Sequence, residues 1–360
     1  MTSIARSVTI DADALTAYVT RLFDAVGSPP EEAAQVAEHL VGSNLRGHDS
    51  HGVIRAAGYV LSAQTGTLHP GAPTTTVRES PSTALIDGGW NFGVPVAIRA
   101  MDIAIAKARE TGVGFVSCFQ TGHIGRVGAY GDQAVAQGMI ALGGVNSPGG
   151  RLTAAFGGSH RRTGTSPLMI AMPAGDQDAP FIFDMATSVV AEGKLKVAVN
   201  QGKDVPDGWI LDGDGRPSND ARDFYGTGDN ERQGTLLPLG GPVSGYKGFG
   251  LNLAVEALSG ILSGAGTALH GPRNTNGVWL MALDIERFLP LDAFTSEFDD
   301  LLGHVKEPPY APGHDEILTA GDPERRRMAA RLRDGIPLDG ETWRQIADTA
   351  MSLGVDVPEV

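Results

Sequence analysis

Residues 46 to 55 read RGHDSHGVIR and place two arginines, two histidines, an aspartate and a serine within one short stretch. A helix restarting near His51 would set His51, Arg55 and Tyr59 at i, i+4 and i+8, on about one face. Histidine gives or takes a proton near neutral pH. An arginine four residues on can clamp a carboxylate through two parallel hydrogen bonds. Together these are the parts needed to reduce a 2-oxo acid, one group holding the acid and the other protonating its carbonyl oxygen. The same residues also read as a solvated polar loop with ordinary capping, and spacing alone does not choose. His48-x-x-His51 has no third ligand close by, so no metal site is assigned.

Four further segments carry chemistry-bearing residues. In QTGHIGRVGAY (120–130), His123 follows a strand and precedes a helix, the place where α/β proteins put ligands; a tight turn would look the same. In GGSHRRTGTSP (157–167), His160, Arg161 and Arg162 form the densest positive spot of the first half. They suit a phosphate or a hairpin tip equally. In FDMATSVVAEGKLK (183–196), Asp184 ends a strand and could orient a histidine or satisfy backbone N–H groups, and Thr187-Ser188 reads as a helix cap. In PLGGPVSGYKGFGLNL (238–253), Lys247 sits near a helix N-terminus, which favours anions, or merely in a glycine-rich helix entry. No G-x-G-x-x-G, P-loop, G-x-S-x-G or H-E-x-x-H occurs, so neither a Rossmann nor a nucleophile-elbow site is indicated.

The elements that must position these residues alternate. DADALTAYVTRLFDAVG has Leu15, Val19, Leu22, Phe23 and Val26 on one face. Ser28-Pro29-Pro30-Glu31 reads as a capping box opening a helix to about Leu45. Pro70 to Pro81 reads as a domain crossing or long connection. After it, VPVAIRAMDIAIAKARETG is a helix, VGFVSCF a strand, AYGDQAVAQG a helix and MIALGGVN a strand. SPLMIAMPA and PFIFDMA are buried strands, and VWLMALDIERF is another after the helix YKGFGLNLAVEALSGILSGAG. GWILDGDGRPSND is a polar, turn-rich segment, and the C-terminus is a polar excursion followed by an amphipathic helix. Such alternation indicates an α/β protein.

Composition sets the outer bounds. The chain has 360 residues, 41% of them hydrophobic, and a net charge of −14. Charge of that sign gives no general attraction to nucleic acid or an anionic membrane surface. An anionic ligand must therefore be held by local groups. Its 49 glycines exceed the roughly 25 expected of an average chain. One cysteine, Cys118, excludes an intrachain disulfide and cysteine-rich metal sites. The N-terminus shows no apolar signal core and no stretch reaches membrane-span length, so a cytoplasmic location is expected.

Taken together and in order, DSHGVIR, TGHIGRVGAY, GTSP, DMATS with EGK, and GGPVSGYKGFGL resemble the malate/L-lactate dehydrogenase family of the non-Rossmann type. Its relatives include sulfolactate, ureidoglycolate and diketogulonate dehydrogenases and a piperideine-2-carboxylate reductase. The resemblance covers nearly the whole chain. It implies an α/β fold with a non-Rossmann NAD(P)-binding domain built on a mixed sheet (76–239). A largely helical substrate and dimerisation domain would come from both termini (1–75 and 240–360). It further implies a homodimer that uses NADH or NADPH on a small anionic substrate. His51 would be the acid/base, Asp184 its orienting partner, and Ser50 a neighbour of the reacting centre. His123 would meet substrate or nicotinamide, and Arg55 with Tyr59 would bind substrate. Arg161, Thr165, Ser166, Thr187, Ser188, Lys194 and Lys247 would serve the cofactor. Where the family commonly has G-T-N-P, this chain has Gly164-Thr165-Ser166-Pro167, which removes an amide. The expected reaction is hydride transfer between a 2-oxo acid and its 2-hydroxy acid. The alternatives are reduction of a cyclic imine, or binding of an anionic metabolite without turnover.

Overall fold

The computed structural model describes residues 7–175, 179–226, 232–272 and 275–359. Strand β1 (Val8–Ile10) leads into α1 (Ala12–Asp24), where the Asp11 carboxylate accepts from the N–H groups of Asp13 and Ala14. An aspartate at this position satisfies donors that the first turn leaves unpaired. α1 buries Leu15, Val19, Leu22 and Phe23, the stripe expected from the sequence, together with Tyr18. α2 spans Pro30–Leu45, but Ser28 does not cap it. Pro29 occupies the cap position and the Ser28 hydroxyl has no partner. The Ser28 N–H donates to the Phe23 carbonyl instead, so the reciprocal half of a capping box has no donor. α3 (Ala56–Gln64) completes the N-terminal group.

The stretch expected to be a connection contains β2 (Thr75–Glu79), an edge strand exposed along its whole length. An exposed edge strand leaves no apolar alternation to read. β3 (Thr83–Asn91), α4 (Gly93–Thr111) and β4 (Val113–Gly122) form a parallel crossover. Gly112, at φ +89°, ends α4 in the left-handed turn that glycine permits. α5 (Gly128–Val135) and β5 (Met139–Asn146) follow. The short strands β6 (Thr153–Ala154) and β7 (Arg161–Thr163) precede β8 (Leu168–Met172) and β9 (Phe181–Met185).

Next come α6 (Glu192–Gln201), β10 (Ile210–Leu211), β11 (Pro217–Ser218), β12 (Thr235–Leu236), α7 (Gly241–Glu256) and β13 (Thr275–Asp284). α8 (Leu291–Val305), α9 (Asp322–Asp334), β14 (Ile336–Leu338) and α10 (Gly340–Leu353) complete the order.

Three sheets result. The largest runs β2-β3-β4-β13-β5-β8-β9, with β3 and β4 parallel and every other neighbouring pair antiparallel. The protein is thus α/β with a mixed sheet. A smaller sheet runs β11-β10-β12-β6-β7 over a core of Val190, Leu195, Ile210, Phe224 and Leu236. β1 pairs with β14 and so brings the two ends of the chain together. A helical core joins Leu15, Phe23 and Leu40 to Ile336, Ile346 and Ala350, and a separate core fills the space between α4, α5 and the large sheet.

Phe92 sits at the seam between these bodies. It joins β3 to α4 as that helix's N-cap residue yet packs into the helical core, with its ring 5.3 Å from Phe23 and 6.1 Å from Tyr59. Removing a fully buried phenyl costs about 3–5 kcal/mol. Phe92→Ala is therefore expected to lose stability of that order in urea unfolding. A loss under about 1 kcal/mol would show that the seam repacks without it.

Candidate active site

The 46–55 loop is not the helix that the spacing suggested. α2 ends at Leu45, and two 3₁₀ turns follow, Asp49–His51 and Val53–Arg55, separated by an extended Gly52. Regular helix resumes only at Ala56. His51, Arg55 and Tyr59 therefore share no helical face, because the extended Gly52 breaks the period between His51 and Arg55. They converge by another route. Ser50, His51, Arg55 and His123 line one cavity of 820 Å³, and the Tyr59 hydroxyl lies 2.6 Å from His123 Nδ1.

The two imidazoles stack, with centroids 5.6 Å apart and planes inclined by 22°. His51 Nδ1 is 2.9 Å from the Ser50 hydroxyl. His123 sits in the loop between β4 and α5, the strand-to-helix position expected for a ligand group. The Gly125 N–H donates to His123 Nδ1 at 3.3 Å, and the Tyr59 hydroxyl faces both that nitrogen and the His123 carbonyl, the latter at 3.2 Å. With Nδ1 accepting, the ring hydrogen of neutral His123 belongs on Nε2.

Burial, with Arg55, His48 and Arg126 adding to it, pushes the His51 imidazolium down to about 3. Burial together with His51, Arg55 and His39 holds His123 well below its ordinary range. Both rings are neutral near pH 7.

Asp184, at the end of β9, accepts from the Gly128 N–H at 2.7 Å. No hydrogen bond between it and His51 occurs among the described residues. Burial raises its carboxyl, opposed by the Gly128 N–H, Arg126 and His48. Asp184 and His51 do line a second cavity of 530 Å³, which shares Ser50, His51, Thr165, Ala191 and Gly193 with the first.

The expected cofactor residues divide. Thr165 lines both cavities, Ser188 and Lys194 line the smaller, and Arg161 lines the larger. Ser166 and Thr187 line neither. Ser166 is buried with its hydroxyl donating to Glu256 at 3.0 Å, and Thr187 donates to the carbonyls of Thr165 and Ser166 instead of capping a helix. Lys247 is exposed on α7 beside the Tyr246 ring, away from both cavities.

The larger cavity also holds groups that the sequence did not single out. Arg151 follows β5, and its Nε and Nη2 donate to the carbonyls of Ala268 and Leu269. Arg161 donates from Nε to Gly234 O and from Nη2 to Phe224 O, while Arg55 Nε donates to Ser50 O. None of these three guanidiniums forms an ion pair among the described residues. The wall carboxylate, Glu192, accepts from the Tyr225 hydroxyl at 2.6 Å. Position after a strand end was the one available signal for Arg151.

Among the described residues, no cluster of three or more His, Cys, Asp or Glu side chains is arranged to hold a metal, and no helix is long and apolar enough to cross a membrane.

His39, on α2, completes a set of three largely buried neutral histidines, and is pushed down to about 3 chiefly by burial and by Arg126. In the unfolded chain a histidine titrates near 6.5, so between there and about 3 the unfolded state binds protons that the fold refuses. Stability present above pH 6.5 is therefore lost as pH falls, by about 1.4 kcal/mol per unit for each histidine and about 4 for all three. Asp184, with its carboxyl raised, works in the opposite direction through one proton. Thermal unfolding followed from about pH 7.5 to about pH 4.5 is expected to show a steep fall in midpoint, and His39→Gln should flatten it by about a third. A midpoint independent of pH over that range would exclude neutral burial of these rings.

This geometry can be set beside known proteins. The family model described as malate/L-lactate dehydrogenase matches residues 10–347. A malate dehydrogenase of Pyrococcus abyssi is 36% identical over 98% of this chain and 97% of its own length. An L-sulfolactate dehydrogenase of Methanocaldococcus jannaschii is 34% identical over 92% of this chain and 94% of its own. The solved malate dehydrogenase of Pyrococcus horikoshii superposes with a TM-score of 0.88 at 33% identity, covering 99% of both chains. The chain belongs to the malate/L-lactate dehydrogenase family.

Proposed function

We propose that this chain is an NAD(P)H-dependent oxidoreductase that interconverts a small 2-oxo acid and its 2-hydroxy acid, of the malate, lactate or sulfolactate type. The observation that carries this reading is the stacked His51–His123 pair beside Arg55, in a cavity whose arginines are held by carbonyls and not by carboxylates. The donor set fits a nicotinamide dinucleotide. Arg151 and Arg161 offer guanidinium groups free of ion pairs among the described residues to phosphates, with the Gly149-Gly150 turn in the same wall. The adjoining cavity adds Thr165, Ser188 and Lys194. Both volumes lie in the range of about 300–1,000 Å³ usual for ligand pockets. The sheet of residues 76–239, which also takes in β13, would be the cofactor body, and the helical core drawn from both termini the substrate body.

When bound, the nicotinamide supplies or accepts the hydride. The rest falls to the chain's own groups. Arg55 has its Nη atoms available for two parallel bonds to a carboxylate. His51, neutral in the buried site, takes the hydroxyl proton during oxidation while Ser50 fixes its Nδ1. A bound carboxylate offsets the Arg55 charge, which adds to burial in holding the imidazolium down, so the proton affinity of His51 rises with substrate in place. That rise lets the same ring protonate the carbonyl oxygen in reduction. Asp184, on the far side of the shared wall, adds negative charge to the cavity behind His51 when ionised.

A second reading gives the proton to His123. Its favouring observation is the Tyr59 hydroxyl at 2.6 Å, an orienting partner in contact, which Asp184 is not for His51. Two variants separate the readings. His51→Gln is expected to lower kcat by about 10²–10⁴-fold, the usual contribution of a general acid/base, while NADH or NADPH still quenches tryptophan fluorescence. His123→Gln should mainly raise KM. The reverse pattern assigns the proton to His123. A panel of 2-oxo acids and cyclic imines, each with NADH and with NADPH, identifies the substrate class. Imines outperforming every oxo acid would replace the present reading, and failure of both nucleotides to bind would end it.

The outer face of α7 presents Val243 at 89% exposure, with Tyr246, Leu253, Ile261 and Leu262 also exposed on this segment. A second copy of the chain is proposed to cover this face, since apolar patches of this kind mark association sites. Light scattering should give twice the mass of 37.5 kDa, and Val243→Asp should halve it. A wild-type mass of one chain would remove the proposal.

A further inference from the structure

The Ser50–His51 step is fixed from outside the cavity. Asn44, buried near the end of α2, donates from Nδ2 to Asp49 Oδ1 at 2.7 Å and accepts the Val53 N–H at 2.8 Å. It therefore bridges the residues on either side of Ser50–His51. Gly52 lies so close that an added Cβ would fall 2.2 Å from Asn44 Oδ1. Both oxygens of the Asp49 carboxylate are gripped by Arg331 of α9, Nη1 at 2.6 Å from Oδ1 and Nη2 at 3.1 Å from Oδ2. Arg331 Nη1 also donates to the Asn44 carbonyl.

Glu324, Arg327 and Arg331, at i, i+3 and i+7, form one stripe of α9. Glu324 pairs with His48 at 3.4 Å, and the Arg327 side chain lies against Gly47. α9 buries little besides Asp322, with Met328 packed on the helical core. Its grip on residues 47–49 is polar.

We propose that Asp49 and Arg331 are positioning residues, through which α9 latches the 46–55 loop and sets the direction of the His51 imidazole. Asp49 accepts three charged or amide donors at once. Each fixes the turn that immediately precedes Ser50 and His51. A two-pronged guanidinium–carboxylate pair defines orientation as well as distance. Arg331, largely buried, is not replaceable by a point charge of the same sign. The inference rests on the assignment of a proton-handling role to His51.

The test compares Asp49→Asn, Arg331→Gln, the double variant and Arg331→Lys, with Arg333→Gln as control. Arg333 lies on the same helix but pairs with the exposed Asp334. Each single variant is expected to lower kcat about 10- to 100-fold, the scale of a misplacement near 1 Å. Nicotinamide dissociation constants should stay within about twofold of wild type. The double variant should be no worse than the weaker single, and Arg331→Lys should recover only part. In ¹⁵N-histidine spectra the His51 resonance, identified by its loss in His51→Gln, should move in the latch variants and not in the control. Latch variants matching Arg333→Gln in both kcat and the His51 resonance overturn the proposal. So does a fall in kcat that merely tracks loss of folded protein by circular dichroism. If the wild-type enzyme turns over no acid or imine, the functional reading fails, while the resonance still decides the latch.

Discussion

One helix, α2, holds both histidine loops, and the stack of His51 on His123 depends on it. Near its C-terminus Asn44 ties Asp49 to Val53. Earlier on the same helix His39 accepts the Arg126 N–H at 2.9 Å and stacks on Tyr130. The two loops meet α2 so closely that each needs a glycine. A Cβ at Gly52 would meet Asn44, and a Cβ at Gly125 would fall 2.2 Å from His39 Nε2. Gly125 also has φ +71°, where other residues are strained. A group belonging to the helical core thus registers a loop of the sheet body against a loop of its own. The imidazole pair forms at the junction for that reason, and neither body alone could make it.

How much of this was legible in the sequence depended on how local its cause was. α1 announced itself because its buried helical stripe is written in one short window, and α2 was read from its proline-led start although Ser28 does not cap it. His51, Arg55 and His123 were legible as chemistry and do share a cavity. Their route to it was not legible, since Gly52 interrupts the helix that the spacing implied. Asp184 was read with two possible uses, and its described bond is the backbone one, to Gly128. Arg151 carried no motif: its carbonyl partners lie more than a hundred residues away in sequence. Ser166 shows the reverse case. It holds φ +33°, a left-handed conformation that asparagine tolerates better than serine. The departure from G-T-N-P therefore falls on backbone strain and on a buried bond to Glu256, and not on the cavity lining.

Charge follows the same logic of remote supply. In a chain with 42 acidic and 28 basic side chains, an arginine most easily meets a carboxylate. Arg46 and Arg126 do so, sharing Asp132, and Arg331 and Arg325 are likewise paired. Arg55, Arg151 and Arg161 are held differently, by carbonyl oxygens that fix the guanidinium without cancelling its charge. A carbonyl dipole orients the fork, and the full positive charge remains for a ligand. Held in place before a ligand arrives, such charge needs no reorganisation, a condition under which preorganised groups contribute to catalysis. Arg55 adds to burial, the chief reason that the histidines there are neutral. The same field that attracts an anion disfavours an imidazolium, until the anion arrives to offset it. Substrate binding and the basicity of the proton-handling ring are in this way one electrostatic event, and the latch on Asp49 matters because such coupling falls off with distance.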